Sequence, residues 1–273
     1  MDSRDSSPAD TPPIGGRPGP PPTGAPPGPA WWPLPAPPRP TVSGGISTRC
    51  GGISPPPWAS LNCSTRTGDS PQRVATNVAR LARATGVDFD VAARIALEHG
   101  IRVRCATRGG ACGPGDALVT TRTGVTLALT VADCIPLYLV TPGALALAHC
   151  GWRGVRDGIV PAVLLALAQC DATPRDAWWA WIGPGIGPCC FYLPRRAASA
   201  FPSQHWQRHD ETDPQRETRV DLAAIVRAAL LEGGLRPRAV HSAAACTACR
   251  ADLFYSHRRD RGRTGRMLAW IRS

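Results

Sequence analysis

Two apolar segments in the middle of the chain each lead to a side chain that can bind a metal or transfer a proton. Residues 127–131 (Leu-Ala-Leu-Thr-Val) precede Cys134, and residues 145–147 (Leu-Ala-Leu) precede His149. Short apolar runs of this kind are typical of buried strands. A Thr-Pro-Gly turn at residues 141–143 allows the two strands to lie side by side. We therefore expect a core of buried strands that brings Cys134 and His149 together at one end.

A third candidate ligand, His99, lies upstream of this pair. It precedes Cys134 by 35 residues (134 minus 99), and His149 follows Cys134 by 15 (149 minus 134). Ligands of small zinc motifs come in close pairs, so these spacings indicate a site assembled by a folded core. One thiolate and two imidazoles suit Zn²⁺ or copper, and three protein ligands leave one position open. Without a metal, Cys134 and His149 could instead act as a nucleophile and its base.

The spacing of apolar residues predicts both helices and strands after residue 40. Helices are predicted at residues 72–85, 89–98, 159–169 and 222–231. Strands are predicted at residues 117–121, 125–131, 137–140, 145–148, 178–182, 239–244 and 267–271. Long series of strands among a few helices favour an α+β fold over a doubly wound sheet.

The head of the chain has a composition that does not favour folding. Residues 1–40 hold half of the 30 prolines and few side chains that could form a core. Such a segment buries too little apolar area to offset the entropy lost on ordering, so we predict that it is disordered. Residues 41–273 are then long enough for a single catalytic domain with a well-buried core.

Charge and cysteine content narrow the class of protein. The formal net charge is +11, and all basic residues are Arg, scattered along the chain rather than gathered in one stripe. We therefore expect an anion-attracting site and no nucleic-acid partner. The odd number of cysteines, 11, and the lack of an apolar leader favour the reducing cytoplasm. No apolar stretch reaches the roughly 18 residues of a membrane span, so no membrane partner is expected.

Many short motifs follow one another in order along residues 44–271. They are residues 45–49 (GISTR), 51–54 (GGIS), 60–62 (SLN), 68–69 (GD), 99–100 (HG), 115–120 (GDALVT), 132–136 (ADCIP), 149–154 (HCGWRG), 183–190 (GPGIGPCC), 221–222 (DL), 246–247 (CT), 256–259 (SHRR) and 264–266 (TGR). In this order they resemble the family variously called polyphenol oxidase, laccase-domain or YfiH-like proteins, which are described as metal-dependent purine nucleoside phosphorylases.

The resemblance implies a fold, a metal and an activity. The implied fold is a single-domain β-sandwich of mixed sheets with helices on both outer faces. The implied metal is Zn²⁺, with copper as the alternative, held by His99, Cys134 and His149. The implied activity is phosphorolysis of adenosine, inosine, guanosine and methylthioadenosine, together with adenosine deamination. The partners are then a purine nucleoside and phosphate, and the oligomeric state is left open between monomer and dimer.

One departure from the family pattern concerns the metal. Leu97 stands where the family has Gln, two residues before His99. Loss of a polar contact behind a ligand weakens a metal site by about 10- to 100-fold. We therefore expect a weakened contribution from His99.

Three further residues are candidates for catalysis. Arg49 and Arg153, the latter four residues after His149, could grip phosphate because a guanidinium matches its oxygens in a fork. Asp133 directly precedes Cys134. It could hold a ligand histidine in one tautomer, act as an acid or base, or serve as a buried structural hydrogen-bond acceptor.

Two cysteine motifs lie outside this set. Cys189-Cys190 falls in a Gly/Pro loop, which favours a tight loop that lines the pocket. Residues 246–249 (CTAC) have the C-x-x-C spacing but lack the second pair of a zinc knuckle and the context of a thioredoxin motif. Taken separately, neither motif predicts a metal site.

Two other activities fit part of the same residue set. Copper oxidation of phenols fits a His₂Cys group, but multicopper oxidases need a further cluster with more histidines than the six of this chain. The other alternative is a metal-free amidohydrolase with Cys134 and His149, for which the resemblance implies a cell-wall precursor as the substrate.

Overall fold

The structure, a computed structural model, describes residues 30–207 and 218–273. Its strands are β1 (Trp31–Pro33), β2 (Ser43–Ser47), β3 (Ala93–Ala96), β4 (Val103–Cys105), β5 (Gly110–Pro114), β6 (Ala117–Thr120), β7 (Leu127–Val131), β8 (Ile135–Val140), β9 (Leu145–Cys150), β10 (Trp179–Ile182), β11 (Tyr192–Leu193), β12 (Trp206–Gln207), β13 (Thr218–Val220), β14 (Val240–Ser242) and β15 (Met267–Arg272). Its α-helices are α1 (Pro71–Thr85), α2 (Trp152–Asp157), α3 (Ile159–Cys170), α4 (Arg195–Ala198) and α5 (Leu222–Glu232). None of the helices in these two ranges has the length and apolar character needed to cross a membrane.

Two six-stranded sheets stack to form the core. The first has the order β1-β2-β15-β7-β3-β5 and the second the order β14-β10-β8-β9-β6-β4, while β11, β13 and β12 form a small third sheet. Along β15, Met267, Ala269 and Ile271 belong to the core between the two sheets, whereas Leu268 and Trp270 pack with α1 on the outer side. Because both faces of these strands are covered, the strands are apolar throughout rather than alternately polar.

Helices cover both outer faces of the sandwich. Helix α1 packs Val74, Val78 and Leu81 against the first sheet and ends at Gly86, whose φ of +69° suits a residue without a Cβ atom. Helices α3 and α5 pack against the second sheet. The side chain of Asp221 caps α5 by accepting a hydrogen bond from a backbone N–H of its first turn. The α+β sandwich with helices on both faces is thus confirmed.

One predicted element is wrong. Residues 89–98 do not form a helix: Ala93–Ala96 form β3, which runs parallel to both β5 and β7. Alanine favours helices, but the two neighbouring strands pair with this backbone, and Ala93 is buried in the core between the sheets. The other predicted helices and strands are confirmed, with their ends within two residues of the predicted ones.

The folded part of the chain begins before residue 41. Strand β1 pairs antiparallel with β2, and the ring of Trp31 packs on Trp270 with centroids 5.3 Å apart. Leu34 is also buried in the core between the sheets. Trp31 and Leu34 thus pack on the core in spite of the proline content of this segment, so the predicted boundary at residue 40 lies too far along the chain. The prediction of disorder for residues 1–29 falls outside the described residues.

Candidate metal centre

The three predicted metal ligands lie together at one end of the sandwich. Cys134 directly precedes β8, and His149 lies in β9, opposite Pro136 of β8. His99 follows the last residue of β3 by three positions (99 minus 96). The potential ligand atoms of the three side chains all lie within 4.8 Å of one another, and the two imidazole rings are nearly perpendicular with centroids 4.9 Å apart. Together these residues form a group that could hold a metal ion.

A buried carboxylate that the sequence analysis did not assign to the site holds this group in place. Asp116 directly precedes β6 and is fully buried. Its Oδ1 lies 2.9 Å from Nδ1 of His149 and accepts a hydrogen bond of 2.9 Å from the backbone N–H of His99. Its Oδ2 accepts a hydrogen bond of 2.7 Å from the backbone N–H of Gly100. With Nδ1 engaged in this way, Nε2 is the ring nitrogen of His149 that remains for a metal.

The sequence does carry a signal for Asp116. A carboxylate stands immediately before the apolar run of residues 117–119, which is predicted as a buried strand. A charged side chain at the edge of a buried strand must find partners to offset its desolvation. The partners themselves are 17 and 33 residues away in the chain, so only the fold identifies them.

The charges of Cys134 and His149 are coupled. Burial raises the pKa of Cys134, but the positive charge and hydrogen bond of His149, together with a hydrogen bond from His99, outweigh it and lower this pKa to about 6. Burial lowers the pKa of His149, but the Cys134 thiolate and the Asp116 carboxylate outweigh it and raise this pKa to about 9. At neutral pH without metal, the pair is a thiolate and an imidazolium. A metal would therefore meet a ready thiolate and displace the His149 proton.

Two residues of the site have a left-handed backbone, which is unusual for residues other than glycine. The φ angles are +60° at His99 and +83° at Asp133. The hydrogen bond from the His99 backbone to Asp116 stabilises the first of these conformations. Such conformations persist where the surrounding structure holds them, and they are concentrated at functional sites.

The carboxylate of Asp133 is engaged by the protein rather than by a ligand histidine. Its Oδ1 accepts a hydrogen bond of 2.7 Å from the Thr247 hydroxyl, and its Oδ2 accepts one of 2.7 Å from the backbone N–H of Arg258. Its backbone carbonyl accepts a hydrogen bond of 2.8 Å from the N–H of Ile186. Of the three roles considered for Asp133, these contacts match the buried structural acceptor. The partner of the ligand histidine is instead Asp116.

Two glycines let helix α2 approach the group closely. A Cβ atom on Gly151 would lie 3.3 Å from the Cys134 sulfur and 3.3 Å from ring carbons of both histidines. A Cβ atom on Gly154 would lie 2.7 Å from the carbonyl oxygen of Gly100, closer than such atoms come in proteins. Glycine at both positions therefore keeps the start of α2 against the three candidate ligands.

A cavity of about 650 Å³ opens over the three candidate ligands. Its lining includes four arginines, which are Arg66, Arg153, Arg258 and Arg266. Apolar lining comes from Trp152, Phe191, Ile186, Leu222 and Leu97, the last at the position where the resemblance implies Gln. Asp133 also lines the cavity, but both of its carboxylate oxygens are engaged as described above. The lining of the cavity thus combines positively charged and apolar side chains.

Arg49, a predicted phosphate ligand, is placed elsewhere. Its Nε and Nη2 donate to the carbonyl of Ala59 at 2.9 and 2.7 Å, and its Nη1 donates to the carbonyl of Ala251 at 3.0 Å. The guanidinium also lies 5.1 Å from the centroid of the Tyr255 ring. The described lining of the cavity includes Arg153 but not Arg49. Three hydrogen bonds to backbone carbonyls leave the Arg49 guanidinium joining two loops instead of facing a ligand.

The chain is thus an α+β protein of two stacked sheets with a His-Cys-His group that could hold a metal. The sequence model of the family described as multi-copper polyphenol oxidoreductase laccase matches residues 43–273, and the chain belongs to this family.

Similar proteins agree with this assignment. The chain is 36% identical over 258 residues to a protein of Geobacillus stearothermophilus named purine nucleoside phosphorylase YlmD, covering 88% of this chain and 93% of that protein. It is 38% identical over 244 residues to a purine nucleoside phosphorylase of Deinococcus radiodurans, covering 88% and 92%.

Solved structures show the same fold. The crystal structure of YlmD from Geobacillus stearothermophilus matches with a TM-score of 0.83 and 34% identity, covering 89% of this chain and 97% of that one. The crystal structure of the hypothetical protein YfiH from Bacillus licheniformis matches with a TM-score of 0.79 and 30% identity, covering 85% and 92%.

Proposed function

We propose that this chain is a metal-dependent purine nucleoside phosphorylase, with His99, Cys134 and His149 as its metal ligands. The observation that carries the proposal is that these three side chains line one cavity together with four arginines and several apolar side chains. The cationic side chains suit phosphate, and the apolar side chains suit a purine. The name purine nucleoside phosphorylase, carried by relatives that are more than a third identical, supports the same reaction class.

The donor set suits Zn²⁺. One soft thiolate and two borderline imidazoles suit the borderline-soft Zn²⁺, and three ligands with a fourth position left open are typical of catalytic zinc. Asp116 orients His149 in the way that carboxylates commonly orient zinc-bound histidines. When bound, Zn²⁺ would supply a Lewis acid beside the reacting atoms.

The arginines provide the site for phosphate. In phosphorolysis a phosphate oxygen forms a bond to ribose C1′ while the bond from C1′ to the purine nitrogen breaks. The purine leaves with the electron pair of that bond and takes up a proton. Positive charge develops on the ribose during this exchange, and phosphate held beside C1′ by Arg153 and other arginines that line the cavity would stabilise it. We assign no phosphate contact to Arg49, because it lies outside the described lining of the cavity and all three of its guanidinium nitrogens donate to backbone carbonyls.

Asp133 has a positioning role in this proposal. Its two carboxylate oxygens are occupied by Thr247 and Arg258, so it fixes the segment that carries Cys134. Substitution of Asp133 by Asn should lower the affinity for zinc and the activity in parallel. If Asp133 were instead an acid or base, the same substitution would lower kcat and alter the pH profile while zinc occupancy stayed full.

The proposal is tested with the purified full-length protein. Adenosine, inosine, guanosine and methylthioadenosine are each incubated with and without phosphate, and free base and sugar phosphate are measured beside the zinc content. We expect phosphate-dependent base release by wild type and by Cys170→Ser, which removes an exposed thiol at the end of α3. Cys134→Ala should lose both site-bound zinc and activity. Inosine formed from adenosine would show the deaminase activity in the same assay. Full activity in Cys134→Ala, or in protein without metal, would reject the proposal.

A second candidate is a metal-free hydrolase with Cys134 as nucleophile and His149 as base. The thiolate and imidazolium pair that the two residues form without metal favours it. A zinc-bound thiolate is not free to attack, so added zinc separates the two functions. Activation by zinc supports the phosphorylase, whereas inhibition by zinc and modification of Cys134 by an amide substrate would support the hydrolase.

A further inference from the structure

A second group of cysteines lies in two loops beside the cavity. Cys189 and Cys190 belong to the loop between β10 and β11, and Cys246 and Cys249 to the turn after β14. The Sγ atoms of all four lie within 4.8 Å of one another. That of Cys249 is 3.3 Å from the Cys189 sulfur and 3.4 Å from the Cys190 sulfur, although about 60 residues separate them in sequence. The fold thus joins two motifs that the sequence analysis considered separately.

The arrangement suits a tetrahedral metal. Zn–S bonds of about 2.3 Å place the four sulfur atoms of a tetrahedral site roughly 3.8 Å apart, within the range of separations in this group. Disulfide bonds link sulfur atoms in pairs at about 2.05 Å, whereas here one thiol, Cys249, lies at similar distances from two others. Four thiolates with no other ligand are typical of structural zinc.

A backbone donor favours negative charge on one of these sulfur atoms, that of Cys246. The backbone N–H of Gly187 donates to the Cys246 sulfur at 3.2 Å. A Cβ atom on Gly187 would lie 3.1 Å from the Cβ of Cys246 and 3.4 Å from the Cys189 sulfur, so the loop approaches this closely only because the residue is glycine. Arg259, whose guanidinium is also paired with the Asp260 carboxylate, donates to the carbonyls of Thr247 and Ala248 at 3.1 and 3.2 Å and thus holds the turn between Cys246 and Cys249.

The two loops also support the candidate metal centre. The N–H of Thr247 donates to the carbonyl of Gly185 at 2.9 Å, which ties the turn to the loop. From these loops Thr247 and Ile186 donate hydrogen bonds to the side chain and the backbone carbonyl of Asp133. Asp133 directly precedes Cys134, so any tie between the two loops also restrains the segment that carries this ligand.

We propose that Cys189, Cys190, Cys246 and Cys249 bind one Zn²⁺ in a structural site that locks the two loops together. All four positions of this metal are filled by protein, so it takes no part in the reaction. Its role is to keep Asp133, and through it Cys134, in place. The site is independent of the proposed function, because its four ligands are distinct from the three of the candidate metal centre.

Metal content provides the first test. Full-length protein is purified under reducing conditions, and zinc per chain is measured by elemental analysis and by native mass spectrometry. We expect about two zinc ions in wild type, about one in Cys134→Ala, and none in Cys134→Ala combined with Cys249→Ser. Cys105→Ser, which removes an exposed thiol of β4, is the matched control and should keep both ions. If Cys134→Ala holds no metal, the second site does not exist.

Two measurements keep the proposal testable if Cys249→Ser does not fold. X-ray absorption of zinc-loaded Cys134→Ala should show four sulfur neighbours at about 2.3 Å and no nitrogen. In wild type, alkylation mapped by mass spectrometry should spare the four cysteines until a chelator is added, whereas Cys105 reacts at once. Disulfides among the four in reduced protein, iron with labile sulfide, or alkylation as fast as that of Cys105 would each overturn the zinc assignment.

The test of the four-cysteine site can fail or succeed independently of the test of phosphorylase activity. One zinc ion that remains in Cys134→Ala would support the four-cysteine site even if wild type has no phosphorylase activity. One zinc ion that disappears in Cys134→Ala and is unaffected by Cys249→Ser would support the candidate metal centre alone.

Discussion

Replacement of Asp116 by Asn tests how the candidate metal centre is held. Asn has the shape of Asp but offers one oxygen and one amide NH₂ group. Oδ1 serves His149 and the backbone of His99, and Oδ2 serves the backbone of Gly100. Whichever of the two oxygens becomes NH₂, a donor then faces a donor in a fully buried position. The substitution therefore removes at least one of these contacts and the negative charge behind His149.

The magnitude follows from the groups that are lost. Loss of a partner behind a metal ligand lowers metal affinity by about 10- to 100-fold, or about 1.4–2.7 kcal/mol. We expect the upper end, because Asp116 serves both ligand segments and because an Asn oxygen holds the Nδ1–H of His149 less strongly than a carboxylate does. Each buried N–H left without an acceptor costs a further ~1–3 kcal/mol of folding stability.

Zinc affinity is measured by competition with a chromophoric chelator at fixed pH and salt, and stability by urea unfolding of the metal-free protein. Asp69→Asn is the matched control, since Asp69 is also buried and accepts hydrogen bonds from Ser54, Asn62 and Arg73 but lies outside the described lining of the cavity. It should lose stability and keep its zinc affinity. A folded Asp116→Asn protein that binds zinc within about threefold of wild type would refute the role assigned to this carboxylate.

Four further predictions concern single contacts. Gly151→Ala places a Cβ atom 3.3 Å from each of the three candidate ligands, so zinc affinity in the competition assay should fall by about tenfold. The far-UV circular dichroism spectrum should stay unchanged, and an unaltered zinc affinity would contradict the close approach of Gly151. Arg49→Ala should lower the free energy of unfolding in urea by about 1.5–3 kcal/mol and leave the KM for phosphate unchanged. A raised KM for phosphate with unchanged stability would instead make Arg49 a phosphate ligand. Tyr138→Phe removes a buried hydrogen bond of 2.8 Å to the carbonyl of Gly45 in the facing sheet. The free energy of unfolding in urea should fall by ~1–3 kcal/mol, and an unchanged value would contradict a stabilising role of this hydrogen bond. Zinc must displace the proton that His149 holds up to about pH 9, so affinity should rise about tenfold per pH unit from pH 6 towards 9, and a flat profile would show that His149 is neutral.

The fold could be predicted from the sequence to the extent that local pattern decides it. Seven of the fifteen strands and three of the five α-helices that the structure describes were predicted from apolar runs or helical spacing, and these are confirmed. The other eight strands are two to five residues long and show no such pattern. The helix predicted at residues 89–98 is wrong because alanine favours a helix locally, whereas pairing with the neighbouring strands β5 and β7 stabilises a strand there. The start of the fold was misplaced because the partner of Trp31 is Trp270, at the other end of the chain.

The sequence by itself identified the side chains that could bind a metal near the ends of buried strands. It could do so because an apolar run and the residues next to it are local features of the chain. Tertiary structure alone decided what surrounds them. The tertiary structure places the Asp116 carboxylate next to Nδ1 of His149 and lets the Arg49 guanidinium donate to backbone carbonyls. It also brings together two cysteine motifs that lie about 60 residues apart. Each of these contacts depends on strand register and loop packing between distant segments, which no single stretch of sequence records.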